Sequence, residues 1–269
     1  MAQTDTVFAG SIPQLYNHYL EPLFFEPYAI DLVGRLADIA KGRVLETAAG
    51  TGIVTRRLDR TLSDSVEIVA TDLNQPMLDF AAAQQGASRV IWRQADALAL
   101  PFEDQGFDAV ACQFGVMFFP DKAAAYREAL RLLKPGGRFV FNVWDRIEEN
   151  EIAHTVTAAM LARYRDDSLS FFSRTPHGYH DLAMIRGELA EAGFSSVQSE
   201  TLPRLSRAPS AREPAIGLCQ GTPLRNAIEA CDPSGLDAAT DAAANAIAAR
   251  FGPGPISARM QAHVITALI

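Results

Sequence analysis

The feature that most constrains this 269-residue chain is Val44-Leu45-Glu46-Thr47-Ala48-Ala49-Gly50-Thr51-Gly52, a short apolar run that ends in an acid and opens into a glycine turn. Gly50 and Gly52 carry no Cβ, so the turn is free to take positive φ and to bring its main-chain amides close to a ligand. Upstream, Arg43 to Leu45 reads as a buried parallel strand. Downstream, Ile53, Val54, Arg57, Leu58 and Leu62 lie near helical spacing. A strand, a glycine turn and a helix make half of a βαβ unit, whose natural guest is a nucleotide-like cofactor. Such turns also occur without ligands, so the next two acids matter. Asp72 ends the run Val66 to Thr71, twenty positions after Gly52, where doubly wound folds place the carboxylate that holds ribose hydroxyls. Asp96 ends a third run, Val90 to Ala95. Strand ends carrying Glu46 with Gly50, Asp72 and Asp96 converge on the carboxyl edge of one parallel sheet.

At these motifs the chain resembles the class I S-adenosylmethionine-dependent methyltransferases, in particular the small-molecule branch similar to the ubiquinone and menaquinone methyltransferases. The resemblance covers residues 40 to 145, through Leu45 to Gly52, Ala70-Thr71-Asp72-Leu73-Asn74-Gln75-Pro76-Met77-Leu78, Gln94-Ala95-Asp96-Ala97 and Leu132-Leu133-Lys134-Pro135-Gly136-Gly137. It implies an α/β fold, a Rossmann-like doubly wound sheet of seven strands, mostly parallel with the last antiparallel, carrying helical cap or lid insertions. It further implies S-adenosyl-L-methionine as cofactor and S-adenosyl-L-homocysteine as product. By the same resemblance, Ala48, Gly50 and Gly52 face the methionine part, with Glu46 beneath them as the motif's acid. Asp72 accepts from the ribose hydroxyls, Leu73 and Met77 line the adenine slot, and Asp96 with the Ala97 backbone reads the adenine edge. Gln113 and Phe114 stand beside the reactive end. The family usually has glycine where this chain has Ala48, a departure of little consequence if φ is negative there.

Composition agrees with an enzyme of this kind. With 48% hydrophobic and 21% charged residues, the chain is able to bury one large α/β core or a core with a modest cap, and a disordered or fibrous class is excluded. A net charge of −8, from 24 basic against 32 acidic residues, gives no electrostatic support for nucleic-acid or anionic-membrane partners. Met1 to Gly10 lacks the pattern of a secretory signal and no run has the length of a membrane span, so the expected location is cytoplasmic. Cys112, Cys219 and Cys231 are odd in number and lack short paired spacing, which suggests neither a disulfide framework nor a metal site.

Along the chain, residues 1–42 read as an N-terminal helical cap, 43–145 as the cofactor-binding core and 146–208 as helices, an active-site loop and a sixth strand. Residues 209–255 read as an inserted helical pair, and 256–269 contain the last strand. The fourth strand is predicted at Phe107 to Gln113, the following helix from an Asp121 N-cap to Leu133, and the fifth strand at Arg138 to Trp144. A sixth strand is predicted at Ser196 to Leu202 and the final one at Met260 to Leu268. The aromatic segment with Tyr16, Phe24, Phe25 and Tyr28 is read either as buried against the sheet or as lining a pocket, and both hold for different residues. The insertion is either a structural cap or, as favoured here, a lid over the acceptor site.

Methyl transfer from a sulfonium asks the protein mainly to align a nucleophile and exclude water, with a base only where the acceptor must lose a proton. The candidate catalytic residues are His177, Tyr179 and His180 in Thr175-Pro176-His177-Gly178-Tyr179-His180-Asp181; the competing reading is a surface turn in which Asp181 caps the next helix. Tyr16, Phe24 and Phe118 are the candidate acceptor contacts. The acceptor is a small, partly hydrophobic molecule, aromatic, natural-product-like or quinone-like, because apolar aromatics surround the presumed reactive end. Gln113-Phe114-Gly115-Val116 is not the Asn/Asp-Pro-Pro-aromatic motif of enzymes that methylate DNA or protein amides. Two alternatives remain: a nicotinamide-dependent oxidoreductase, against which Thr55 stands where that fingerprint wants a small residue, and a cofactor-binding protein without turnover.

Overall fold

The computed structural model describes Phe8, residues 10–86 and residues 88–269. The expectation that Met1 to Gly10 carries no secretory signal falls mostly outside these residues. One seven-stranded sheet runs in the order β3-β2-β1-β4-β5-β7-β6, with β1 Gly42–Glu46, β2 Val66–Asp72, β3 Ile91–Gln94, β4 Phe107–Gln113, β5 Leu133–Trp144, β6 Ser196–Ala208 and β7 Ile256–Leu268. The strands β1 to β5 pair in parallel, which aligns their carboxyl ends along one edge. The fold is the mostly parallel, Rossmann-like sheet that the resemblance implied, with an antiparallel strand at the end of the chain.

The chain divides into two compact units. The core unit comprises Pro27–Val143, His180–Leu202 and His263–Ile269, and the helical unit comprises the chain up to Glu26 with Trp144–Tyr179 and Pro203–Ala262. Within the core unit, Val44, Ile68, Ala109, Ala111, Val140 and Val264 from the sheet bury against Leu32, Val54 and Leu58 from helices and Leu36 from a turn. Helix α3 (Ile53–Thr61) starts at Gly52, whose φ of +84° turns the chain out of β1. A Cβ on Gly52 would sit 2.9 Å from the Trp92 ring, so this glycine also permits close helix packing. Asp121 caps α5 (Lys122–Leu132) by accepting from the Ala124 N–H at 2.8 Å, and Asp181 caps α8 (Leu182–Ala192) by accepting from Ala183 and Met184.

In the helical unit, Ile12–Leu15 (α1) leads into a π-helical run, Tyr16–Phe25, before α2 (Glu26–Gly34). Helix α6 (Glu151–Tyr164) meets α11 (Leu236–Phe251), where Arg250 donates to Thr155 and Glu151. Gly217 of α9 (Arg212–Gln220) faces the π-helical run so closely that a Cβ would lie 2.6 Å from Leu20.

Several element boundaries differ from the sequence reading. Strand β5 starts at Leu133, five residues before Arg138, because Leu133 already pairs with Phe107 and the register shift before Ala109–Arg138 absorbs Pro135-Gly136-Gly137 as an irregularity. Strands β6 and β7 extend to Ala208 and back to Ile256, beyond the apolar stretches that marked them; their added residues alternate between covered and exposed. The inserted pair is three helices, α9, α10 (Leu224–Cys231) and α11, since Gly221-Thr222-Pro223 interrupts what composition leaves continuous.

Candidate active site

The glycine turn is built from β1 outward. Glu46 ends the strand almost wholly buried, and its Oε2 accepts from the Thr55 hydroxyl on α3. Thr55, a misfit to the dinucleotide fingerprint, is thus a hydrogen-bond donor to the motif's acid. Thr47 N–H donates to Ala111 O and Ala49 N–H to Thr71 O, both at 2.9 Å, which pins the turn to the neighbouring strands. Gly50 has φ +56°, and a Cβ on it would meet nothing within 4 Å. Ala48 sits at φ +53°, in the left-handed region, so the condition under which its departure from glycine has little consequence is not met. That conformation disfavours a residue with a Cβ by roughly 1–2 kcal/mol.

Asp72, at the end of β2, is 7% exposed. Its Oδ2 accepts from the Gly50 N–H at 2.9 Å and its Oδ1 from the Asn74 N–H at 2.8 Å, so one carboxylate ties the glycine turn to the start of α4 (Gln75–Gln85). Burial pushes the Asp72 carboxyl above its ordinary value, and the Asn74 and Gly50 amides oppose that shift. The Asn74 side-chain Nδ2 also donates to Asp72 Oδ1, at 3.4 Å. Leu73 beside it is 53% exposed, an apolar surface suited to a flat base, whereas Met77, in the first turn of α4, is buried. Asp96 is exposed at the end of β3, where its Oδ1 accepts from the Leu98 N–H at 2.9 Å, and Ala97 is half-buried. Gln113 closes β4 opposite Asn142, and Phe114 follows with φ +50°. The open space at Gly50, the carboxylate of Asp72 at the end of β2 and the exposed Leu73 fit an adenosyl cofactor. Phe118, half-buried in a short 3-10 turn after Phe114, belongs to the same unit.

The remaining candidates lie in the helical unit, except His180, which is half-buried at the start of the next core-unit segment. His177 and Tyr179 are 5% and 7% exposed, so the surface-turn reading of their loop fails, although Asp181 does cap α8 as that reading expected. His177 Nδ1 donates to the Asp145 carbonyl at 2.7 Å, which places the proton of the neutral ring on Nδ1. Asn150 fixes that carbonyl: its Nδ2 donates to Asp145 O, Arg146 O and Gln261 O, and its Oδ1 accepts from Gln261 N. The ring of His177 lies 5.9 Å from Trp144, Trp144 lies 6.0 Å from Phe25, and Phe25 stacks on Tyr16 at 4.9 Å. Phe24, next to Phe25, is buried. Neither Trp144 nor Asn150 was singled out from the sequence. A tryptophan closing a strand and a polar residue just before a helix were the available signals. Among the described residues no group of His, Cys, Asp or Glu is arranged to hold a metal ion.

Residues 45–141 match the family described as a methyltransferase domain. The ubiquinone/menaquinone biosynthesis C-methyltransferase UbiE of Proteus mirabilis is 31% identical over 168 residues, covering 58% of this chain and 67% of that protein. The chain belongs to the class I S-adenosylmethionine-dependent methyltransferases. The UbiE of Pseudomonas aeruginosa strain LESB58 is 32% identical over 58% of this chain and 66% of its own length, so the methyltransferase described here spans about two thirds of these curated relatives. Among solved structures, the YcgJ protein of Bacillus subtilis shares the fold with a TM-score of 0.58 at 20% identity, over 89% of this chain and 98% of that one. Phosphoethanolamine N-methyltransferase 2 of Haemonchus contortus, solved with S-adenosylhomocysteine, does so with a TM-score of 0.60 at 17% identity, over 95% of this chain and 56% of that one. The protein is an S-adenosylmethionine-dependent enzyme that methylates a small molecule. Family membership sets aside the nicotinamide-dependent alternative.

Proposed function

We propose that this methyltransferase acts on a partly hydrophobic, quinone-like or aromatic acceptor, and that His177 takes the acceptor's proton. The observation that carries this reading is the buried imidazole of His177, held in one tautomer by the Asp145 carbonyl within a row of aromatic rings, Trp144, Phe25 and Tyr16. The relatives named for C-methyl transfer in ubiquinone and menaquinone biosynthesis point to the same acceptor class. The cofactor supplies a methyl group already activated on a sulfonium. Asp72, Asp96 and Leu73 hold its adenosine, and Glu46, through Thr55, keeps the glycine turn in shape for its amino-acid end. Nε2 of His177 accepts a proton from a hydroxyl or an acidic ring carbon of the acceptor, which turns that group into the nucleophile for an in-line displacement. Tyr179, Tyr16 and Phe24, in the same unit as His177, orient the acceptor by hydrogen bonds and apolar contact.

The test is transfer of labelled methyl to a panel of short-chain naphthoquinols, catechols and simple amines. Naphthoquinols or catechols are expected to be methylated and the amines not. In His177→Ala the turnover is expected to fall by about 10²–10⁴-fold, the size of a lost general base, with S-adenosylhomocysteine affinity unchanged. Turnover within a few fold of wild type would remove His177 from the mechanism.

A further inference from the structure

We infer that Asn142 is a positioning residue, whose side-chain oxygen locks Phe114 in the left-handed conformation and thereby holds the glycine turn in the shape that receives the amino-acid end of the cofactor. The inference rests on the cofactor placement proposed above, and all its residues lie in the core unit.

Asn142 is fully buried in β5, inside the otherwise apolar run Phe139-Val140-Phe141-Asn142-Val143. It pairs with Gln113, the last residue of β4. One step later the chain leaves the sheet, and the Phe114 N–H is shared between the Asn142 main-chain oxygen at 3.2 Å and its Oδ1 at 2.9 Å. That second acceptor arrives where φ swings to +50° and where a phenylalanine is poorly accommodated. The swing delivers Gly115 against the turn. A Cβ on Gly115 would come within 2.5 Å of the Ala48 Cβ and 2.7 Å of the Cys112 sulfur, so glycine is the one residue that fits. Ala48 is itself left-handed, and two residues on, Gly50 donates to Asp72. A continuous series of contacts thus runs from Asn142 through Phe114, Gly115 and Ala48 to the turn.

The other half of the amide sharpens the point. Asn142 Nδ2 is buried and makes no hydrogen bond among the described residues. An unsatisfied buried N–H group disfavours the fold, and an apolar residue of similar volume would serve a purely structural role better. What such a residue lacks is the oxygen for Phe114.

The experiment is calorimetric titration of Asn142→Leu with two nucleosides, S-adenosylhomocysteine and 5′-methylthioadenosine, the second having the adenosine without the amino-acid chain. Thermal unfolding is followed in parallel, and Asn142→Ala replaces the leucine variant if that does not fold. The expected result is a melting temperature at or above wild type, S-adenosylhomocysteine bound about tenfold more weakly, the scale of one lost backbone hydrogen bond, and 5′-methylthioadenosine bound as in wild type. Equal weakening of both nucleosides, or of neither, would overturn the role assigned to Asn142. Asp72→Ala, which is expected to weaken both, confirms that the assay reports adenosine contacts. If wild-type protein bound neither nucleoside, the cofactor placement itself would fall and this role with it, an outcome distinct from a wild type that binds both while the variant does not discriminate.

Discussion

At the scale of single residues, the site is a set of conformations that most side chains avoid. Ala48 and Phe114 both have positive φ, and each is held there by neighbours: Ala48 by the hydrogen bonds of Thr47 and Ala49 to adjacent strands, Phe114 by Asn142. Replacing Ala48 by glycine relieves the left-handed strain at the loss of one methyl contact. Ala48→Gly is therefore expected to stabilise the protein by about 1 kcal/mol in urea unfolding, and a destabilised variant would show that the methyl packing outweighs the strain. The glycine turn and its acids were legible in the sequence because they are contiguous. The sign of φ at Ala48 was not, because its neighbours Thr47 and Ala49 are held by hydrogen bonds to Ala111 and Thr71 on other strands.

Among elements, the parallel arrangement of β1, β4 and β5 is tied at its far end by Asp108. Its Oδ2 accepts from the Arg43 N–H at 2.8 Å and from Lys134 Nζ at 2.7 Å, and a Cβ on Gly42 would run into the same carboxylate. Partial burial pushes the Asp108 carboxyl up, but Lys134 and the Arg43 amide together bring it below its ordinary value. A depressed folded-state pKa means that the stabilisation is present above the unfolded carboxyl value and is lost as the pH falls through the folded one. Asp108→Ala is expected to destabilise by about 1 kcal/mol at pH 7, allowing for solvent screening at this half-exposed pair, and the gap to wild type should narrow as the pH falls below the ordinary carboxyl range. A gap that persisted in acid would assign the effect to packing. Strands β1, β2 and β4 were readable because buried parallel strands are continuous apolar runs. The additional lengths of β5, β6 and β7 were not, because hydrogen bonding to neighbours, and not hydrophobicity, extends them.

For the whole molecule, the candidate groups separate by unit: Glu46, Asp72, Asp96 and Asn142 lie in the core unit, and Tyr16, Trp144 and His177 in the helical unit. This division predicts separable kinetics. Asp72→Ala should weaken S-adenosylhomocysteine by at least about 100-fold through loss of a charge-assisted grip on two hydroxyls, whereas His177→Ala and Tyr16→Phe should leave that affinity intact and change only turnover or acceptor KM. Calorimetry beside acceptor-dependent kinetics checks both, and a loss of cofactor affinity in His177→Ala would contradict the division. No helix among the described residues is long and apolar enough to cross a membrane. By itself the sequence determined the mostly parallel sheet and the cofactor, since these follow from short motifs at successive strand ends. Only the tertiary structure decided that His177 is buried against the Asp145 carbonyl, that Thr55 donates to Glu46, and that the Asn142 Oδ1 accepts from the Phe114 N–H. Each of those facts is a contact between residues distant in sequence, and burial and hydrogen-bond partnership belong to the packed chain, not to any local pattern.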